Sequence, residues 1–148
     1  MTDLVFVDSN VLVYSLDVSE PEKQRHAESW LWYLWSNRVG RLSFQVLLEF
    51  YVIATKKIDV PLSHEEARTV ARSLLSWDPV ITDDRTISGA WVIQDRFHVS
   101  WWDSLIVSAA QIARCSYLLT EDLQHGQKLG GVEVVNPFRA SPPDLFPG

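Results

Sequence analysis

An uninterrupted apolar run, Leu4-Val5-Phe6-Val7, ends in the acidic and polar triplet Asp8-Ser9-Asn10. Four apolar residues in succession suit a strand covered on both faces, which parallel sheets provide and half-solvated antiparallel sheets do not. The pattern returns at Ser116-Tyr117-Leu118-Leu119-Thr120, followed by Glu121-Asp122, and again at Val132 to Val135 after a loop punctuated by Gly126, Gly130 and Gly131. Arg41 to Phe44 is a shorter candidate strand, and Pro79-Val80-Ile81 reads as strand or linker.

Helical patterns fill the intervals. Ser19 and Glu22 have capping-box spacing, with Pro21 suited to the first turn, and Ala27, Trp30, Leu31, Leu34 and Trp35 follow as one apolar stripe. A second helix is expected from Gln45 to Lys57. Ser63 and Glu66 repeat the capping signature before Ala67, Val70, Ala71, Leu74 and Leu75. Asp83 or Asp84 opens a helix bearing Ile87, Ala90, Trp91 and Phe97, and Ser100 caps one bearing Leu105, Ile106, Ala109, Ala110 and Ala113. Apolar strands alternating with helices over short joints predict an α/β fold with a central parallel β-sheet flanked by α-helices. A length of 148 residues suits one domain. Residues 1–138 are expected to form it. Residues 139–148, with Pro142, Pro143 and Pro147, are expected to be a Pro-rich tail, an extended arm or loose end.

Charge and cysteine content narrow the chemistry. A net charge of −6 argues against passive nucleic-acid binding through a basic surface. It leaves metal-assisted catalysis open, because carboxylates that hold cations add to the negative count. Cys115 is the single cysteine, so neither an internal disulfide nor a cysteine-based zinc site is available. With no apolar run near the ~20 residues of a membrane span and no signal-like N-terminus, the expected location is the cytoplasm, with no membrane partner.

Ligands of open α/β sheets gather at the C-terminal ends of strands, where Asp8 and Asp122 are expected. Each alone is as readily a turn former or cap. Glu49 is more telling, since Val46, Val52 and Ile53 surround it at helical spacing and only Gln45 is polar. Burying such a carboxylate without a partner is costly, and a salt bridge to Lys56, Lys57 or a distant arginine is the plain alternative to a metal. Asp103 stands three residues after Ser100 and suits a capping box, yet lies between Trp101-Trp102 and Leu105-Ile106-Val107. Four carboxylates brought together repel unless a cation compensates. An oxygen-only set points to Mg²⁺ or Mn²⁺ rather than zinc.

These segments resemble PIN-domain ribonucleases, most closely the VapC-like toxins of bacterial toxin–antitoxin pairs. The resemblance rests on Phe6-Val7-Asp8-Ser9-Asn10-Val11-Leu12, the Glu49 helix, and Ser100-Trp101-Trp102-Asp103-Ser104-Leu105-Ile106. It continues through Leu119-Thr120-Glu121-Asp122-Leu123-Gln124-His125-Gly126-Gln127 and Asn136-Pro137-Phe138, in order over nearly the whole chain. It implies Mg²⁺- or Mn²⁺-dependent endonucleolytic cleavage of RNA, with Asp8, Glu49, Asp103 and Asp122 as catalytic and metal-binding acids and Asn10 and Thr120 in support. It also implies a homodimer and a cognate antitoxin that directs a basic or aromatic side chain at the acids, with Trp30, Trp32, Tyr33 and Trp35 as a candidate groove. For these aromatics the plainer reading is Trp30 and Trp35 in the core and Trp32 half exposed. Glu121, beside the last acid, is expected to point away from the site.

Other classes fit less well. A phosphoaspartyl phosphatase wants an Asp where Asn10 stands. A receiver-like regulatory domain has no use for Glu49 within a helix. A catalytically silent binding module would keep the fold without the chemistry. His26, His64, His98 and His125 are scattered, and Cys115 reads as a small apolar residue. Arg85, Arg96, Lys56 and Lys57 are candidate phosphate contacts, with solvated surface the default for each.

Overall fold

Five short strands form one sheet in the computed structural model, which describes residues 3–148. They are β1 (Val5–Val7), β2 (Gly40–Arg41), β3 (Tyr117–Leu119), β4 (Lys128–Leu129) and β5 (Val132–Val135), in the order β2-β1-β3-β5-β4. β1 pairs in parallel with β2 and β3, and β3 with β5. The expected parallel sheet is therefore present, with one addition, since β4 pairs antiparallel with β5. Gly130 and Gly131, at φ 56° and 88°, make the two-residue turn between them, in left-handed geometry that glycine adopts freely.

The helices are α1 (Ser9–Tyr14), α2 (Pro21–Asn37), α3 (Phe44–Lys56), α4 (His64–Leu74), α5 (Asp84–Phe97), α6 (Trp101–Ile112) and α7 (Pro142–Leu145). Their starts follow local chemistry. Ser43, Asp83 and Ser100 accept backbone N–H groups of α3, α5 and α6, and Ser63 with Glu66 closes a reciprocal capping box on α4. The box expected at Ser19 does not form. Ser19 instead donates to Asp17 Oδ1, 2.5 Å from its Oγ, and α2 begins at Pro21 without a side-chain cap. Pro79-Val80-Ile81 contributes only a single bridge, Val80 to Ser43.

The tail is not a loose arm. Ser141 and Asp144 box the start of α7, Ala140 O accepts from Trp30 Nε1 at 2.9 Å, and Phe146 stacks on Tyr33 with ring centroids 5.1 Å apart. Val5, Phe6, Val7, Leu118 and Leu119 are fully buried at the centre, as strands covered on both faces must be. Among the described residues no helix is long and apolar enough to cross a membrane.

Candidate metal centre

From β1 the chain first runs outward to β2, and later returns to place β3 on the other side of β1. The order reverses between β1 and β3, and their C-terminal ends open the crevice in which such sheets hold ligands. Asp8 follows β1, while Thr120 and Asp122 follow β3. The two ends are tied by Asp8 N–H donating to Leu119 O at 3.0 Å. Asp103 arrives from the first turn of α6. One carboxylate oxygen from each of Asp8, Asp103 and Asp122 lies within 4.8 Å of the others.

A polar network fixes two of these acids. Asp8 Oδ1 accepts the Ser9 N–H at 2.7 Å, and Oδ2 accepts the Thr120 hydroxyl at 2.9 Å. The Asn10 amide donates to Asp122 Oδ2 and to Thr120 Oγ1, both at 3.1 Å, while Thr120 Oγ1 also accepts the Asp122 N–H. Asn10 Oδ1 is buried without a partner. The amide is thus oriented by the acids it donates to. Asn10 and Thr120 are hydrogen-bonded to these acids and to each other.

Glu49 is half-buried on α3 and accepts from Gln45 Nε2 at 3.3 Å. It lies outside the 4.8 Å cluster yet close enough to feel it. Its carboxyl is raised above the ordinary range by burial and by the charges of Asp103 and Asp122, against the opposing Gln45 hydrogen bond. The ion pairs among the described residues are Lys23–Glu121, Arg25–Glu22 and Arg85–Asp83, so no salt bridge accounts for Glu49. The structure brings Asp8, Asp103 and Asp122 together and leaves Glu49 at their margin.

The charge on the cluster is poorly compensated. Burial pushes the Asp8 carboxyl up to about 7, against the Thr120 and Ser9 hydrogen bonds, with Asp122 and Glu49 raising it further. Asp122 is also raised, first by burial and then by Asp103 and Glu121, although Asn10 opposes this. Asp103 takes no hydrogen bond on its carboxylate, because only half of the possible capping box forms: Ser100 accepts from Asp103 N–H at 3.1 Å. Oxygen ligands alone, an unengaged carboxylate and no neutralising lysine or arginine together fit a hard divalent cation.

Other residues surround the centre without joining it. Glu121 turns away to Lys23 at 3.0 Å, and the Lys23 ammonium lies over the Tyr14 and Phe138 rings. No local sequence signal marks this group, whose members come from α1, α2, the loop after β3 and the segment after β5. His125 Nδ1 accepts the Asn136 N–H at 3.0 Å and fastens the Asp122 loop to the end of β5. Burial raises the Cys115 thiol to about 12, as befits an apolar filler. Trp30 is core, whereas Trp32 is 72% exposed and Trp35, expected inside, is 41% exposed.

The fold and the acid cluster define a class of α/β domain that presents carboxylates at the switch point of a parallel sheet. Residues 5–128 match the PIN domain, and the chain belongs to that family. Three solved structures share the fold. A toxin–antitoxin complex from Klebsiella pneumoniae aligns at 18% identity and TM-score 0.62 over 90% of this chain and 97% of that one. VapBC2 from Rickettsia felis, bound to a DNA fragment from its promoter, aligns at 14% and TM-score 0.59 over 88% and 96%. VapC20 of Mycobacterium tuberculosis, a toxin cleaving the sarcin–ricin loop, aligns at 18% and TM-score 0.53 over 77% and 86%. A comparison with curated proteins gives no match.

Proposed function

We propose that this protein is a divalent-metal-dependent endoribonuclease and the toxin of a toxin–antitoxin pair. One observation carries the reading: Asp8, Asp103 and Asp122, from three separate segments, converge within 4.8 Å, and among the described residues no cationic side chain pairs with them. Asp8, Asp103 and Asp122 hold Mg²⁺ or Mn²⁺, and Glu49 is the fourth acid at its border. The cation supplies polarisation of the scissile phosphodiester and activation of water. Thr120 aims Asp8, Asn10 holds Asp122, and Glu49, raised in pKa, is placed to exchange a proton at the site's edge.

The partners follow the same reading. RNA is the substrate in the cytoplasm, and a cognate antitoxin silences the acids with a basic side chain, whose charge replaces that of the cation. Trp32 on α2 offers the antitoxin an exposed anchor. The strip formed by Phe44, Leu48 and Val52 on α3, flanked by Ile81 and Trp102, is the surface for a second copy of the chain. Residues 1–138 constitute the nuclease domain, and residues 139–148 a tail that clasps it.

Calorimetric titration of the antitoxin-free protein with Mn²⁺, beside Asp8→Asn and Asp103→Asn, tests the centre. Binding by the wild type and its loss in both variants is expected, together with loss of RNA cleavage in Asp8→Asn. A folded wild type that binds no cation, with or without RNA, would instead be a silent binding module.

A further inference from the structure

A second polar surface lies at the far end of α6. Two adjoining cavities, about 340 and 520 Å³, share Arg41 and Asp78 in their walls. Arg85 and Arg114 line the first, and Trp35 and Arg38 the second. Four arginines therefore line the trough of the two cavities, against the carboxylates of Asp78 and Asp83, in a chain whose net charge is −6; Arg41 Nη1 donates to Gly40 O at 2.8 Å. Arg85 lies 3.8 Å from Asp83, while Arg38, Arg41 and Arg114 have no ion-pair partner among the described residues.

The backbone sets this trough apart a second way. Arg38, Asp78, His98 and Arg114 are the non-glycine residues with positive φ among those described, at 53° to 59°. Three of these four line the trough. Arg38 ends α2, and Arg114 follows the end of α6, in left-handed positions that helix ends usually give to glycine. Left-handed non-glycine residues carry strain and gather at functional sites. Trp35 adds an exposed indole, set 5.0 Å from the Trp77 ring. Trp77 in turn lies against Gly40, where an added Cβ would meet its ring at 2.6 Å.

We propose that this trough is a binding site for the backbone of single-stranded RNA. Guanidinium groups pair with phosphates in a fork geometry, and an exposed indole stacks on a base without regard to sequence. This assignment rests on the RNA-substrate reading above and deepens it. From Asp103 to Ile112 at the trough, α6 rises about 14 Å, a length covered by about four stacked nucleotides at ~3.4 Å each. A strand engaged at both places must be longer than that.

Arg38→Gly combined with Arg114→Gly tests the assignment, because glycine suits both backbones and removes both charges. Anisotropy of a labelled 12-nucleotide RNA is followed against salt in chelator, with Tm and Mn²⁺ calorimetry measured in parallel. The expected result is about tenfold weaker RNA binding and a salt slope smaller by about 1.4, with Tm equal or higher and Mn²⁺ binding intact. Unchanged RNA affinity and slope in the folded variant would overturn the proposal. Loss of polyglutamate binding with RNA binding preserved would overturn it equally, by assigning the trough to an acidic protein segment. The chelator keeps the binding measurement independent of catalysis, so failure of the nuclease reading is seen separately, as absent Mn²⁺ binding.

Discussion

Asp8 carries the clearest conflict between stability and use. The folded chain holds its proton up to about pH 7, and the unfolded chain releases it near 3.8. Between these values the folded state binds more protons, so metal-free stability falls as pH rises from about 4 to about 7 and stays low above. The full effect approaches roughly 4 kcal/mol. Asp8→Asn is accordingly expected to be more stable than wild type at pH 8 in chelator, by about 1–3 kcal/mol after losses in hydrogen bonding. Urea denaturation at pH 5 and pH 8 checks this, and a variant weaker than wild type at pH 8 would mean that Asp8 is not strained by ionisation. Thr120→Val leaves Asp122 N–H and the Asn10 amide short of an acceptor and should cost about 1–3 kcal/mol at pH 5, and more at pH 8, where ionised Asp8 also loses the Thr120 hydroxyl, measured the same way. Asp8, Asp103 and Asp122 were readable because each follows an apolar strand or opens a helix with a clear cap, and Glu49 because it is the one charge in an apolar helical stretch. Their convergence was not, since the 4.8 Å meeting of Asp8, Asp103 and Asp122 depends on strand order, and Glu49 falls outside it for the same reason.

At the scale of elements, the last ten residues show what composition hides. Prolines suggested a loose arm, yet Pro142 and Pro143 open α7, where a missing N–H costs nothing. Residues 139–148 then cover Trp30 and Tyr33 through the Ala140 carbonyl and the Phe146 ring. Removing residues 139–148 should lower stability by about 2–4 kcal/mol and shift tryptophan emission to the red, as the Trp30 indole loses its acceptor and its cover. An unchanged denaturation midpoint would show that the tail docks without contributing. Ser63 and Ser19 share one capping signature, but only Ser63 forms the box. Ser19 has a nearer acceptor in Asp17, a local competition that spacing alone does not encode. β4 was missed for a similar reason: two residues carry no periodicity, and only the Gly130-Gly131 turn hinted at a hairpin. The helices α2 to α6 and the central strands were legible because they satisfy their burial pattern locally, whereas α1 and α7 are too short to show a stripe.

Across the whole molecule, charge is sorted rather than spread. Carboxylates crowd the crevice between β1 and β3, and unpaired arginines gather at the opposite end of α6. On the proposed reading, a divalent cation would bind the folded chain and not the unfolded one, adding about 2.7 kcal/mol at a hundredfold excess over its Kd. It also competes with the Asp8 proton, so binding must release that proton below about pH 7 and needs no release above it. Cation affinity should therefore rise with pH up to about 7 and then level. On that reading the cation would restore the stability lost above pH 7 in chelator. Thermal melts at pH 5.5 and pH 8, each in chelator and in excess Mn²⁺, are expected to show a small Mn²⁺ shift at the lower pH. At pH 8 the shift should be larger, roughly 5–10 °C for a domain of this size. Equal shifts at both pH values would place the cation away from Asp8. No shift at either would mean that the acids are held together by the fold alone, at a cost in stability with no ligand to offset it.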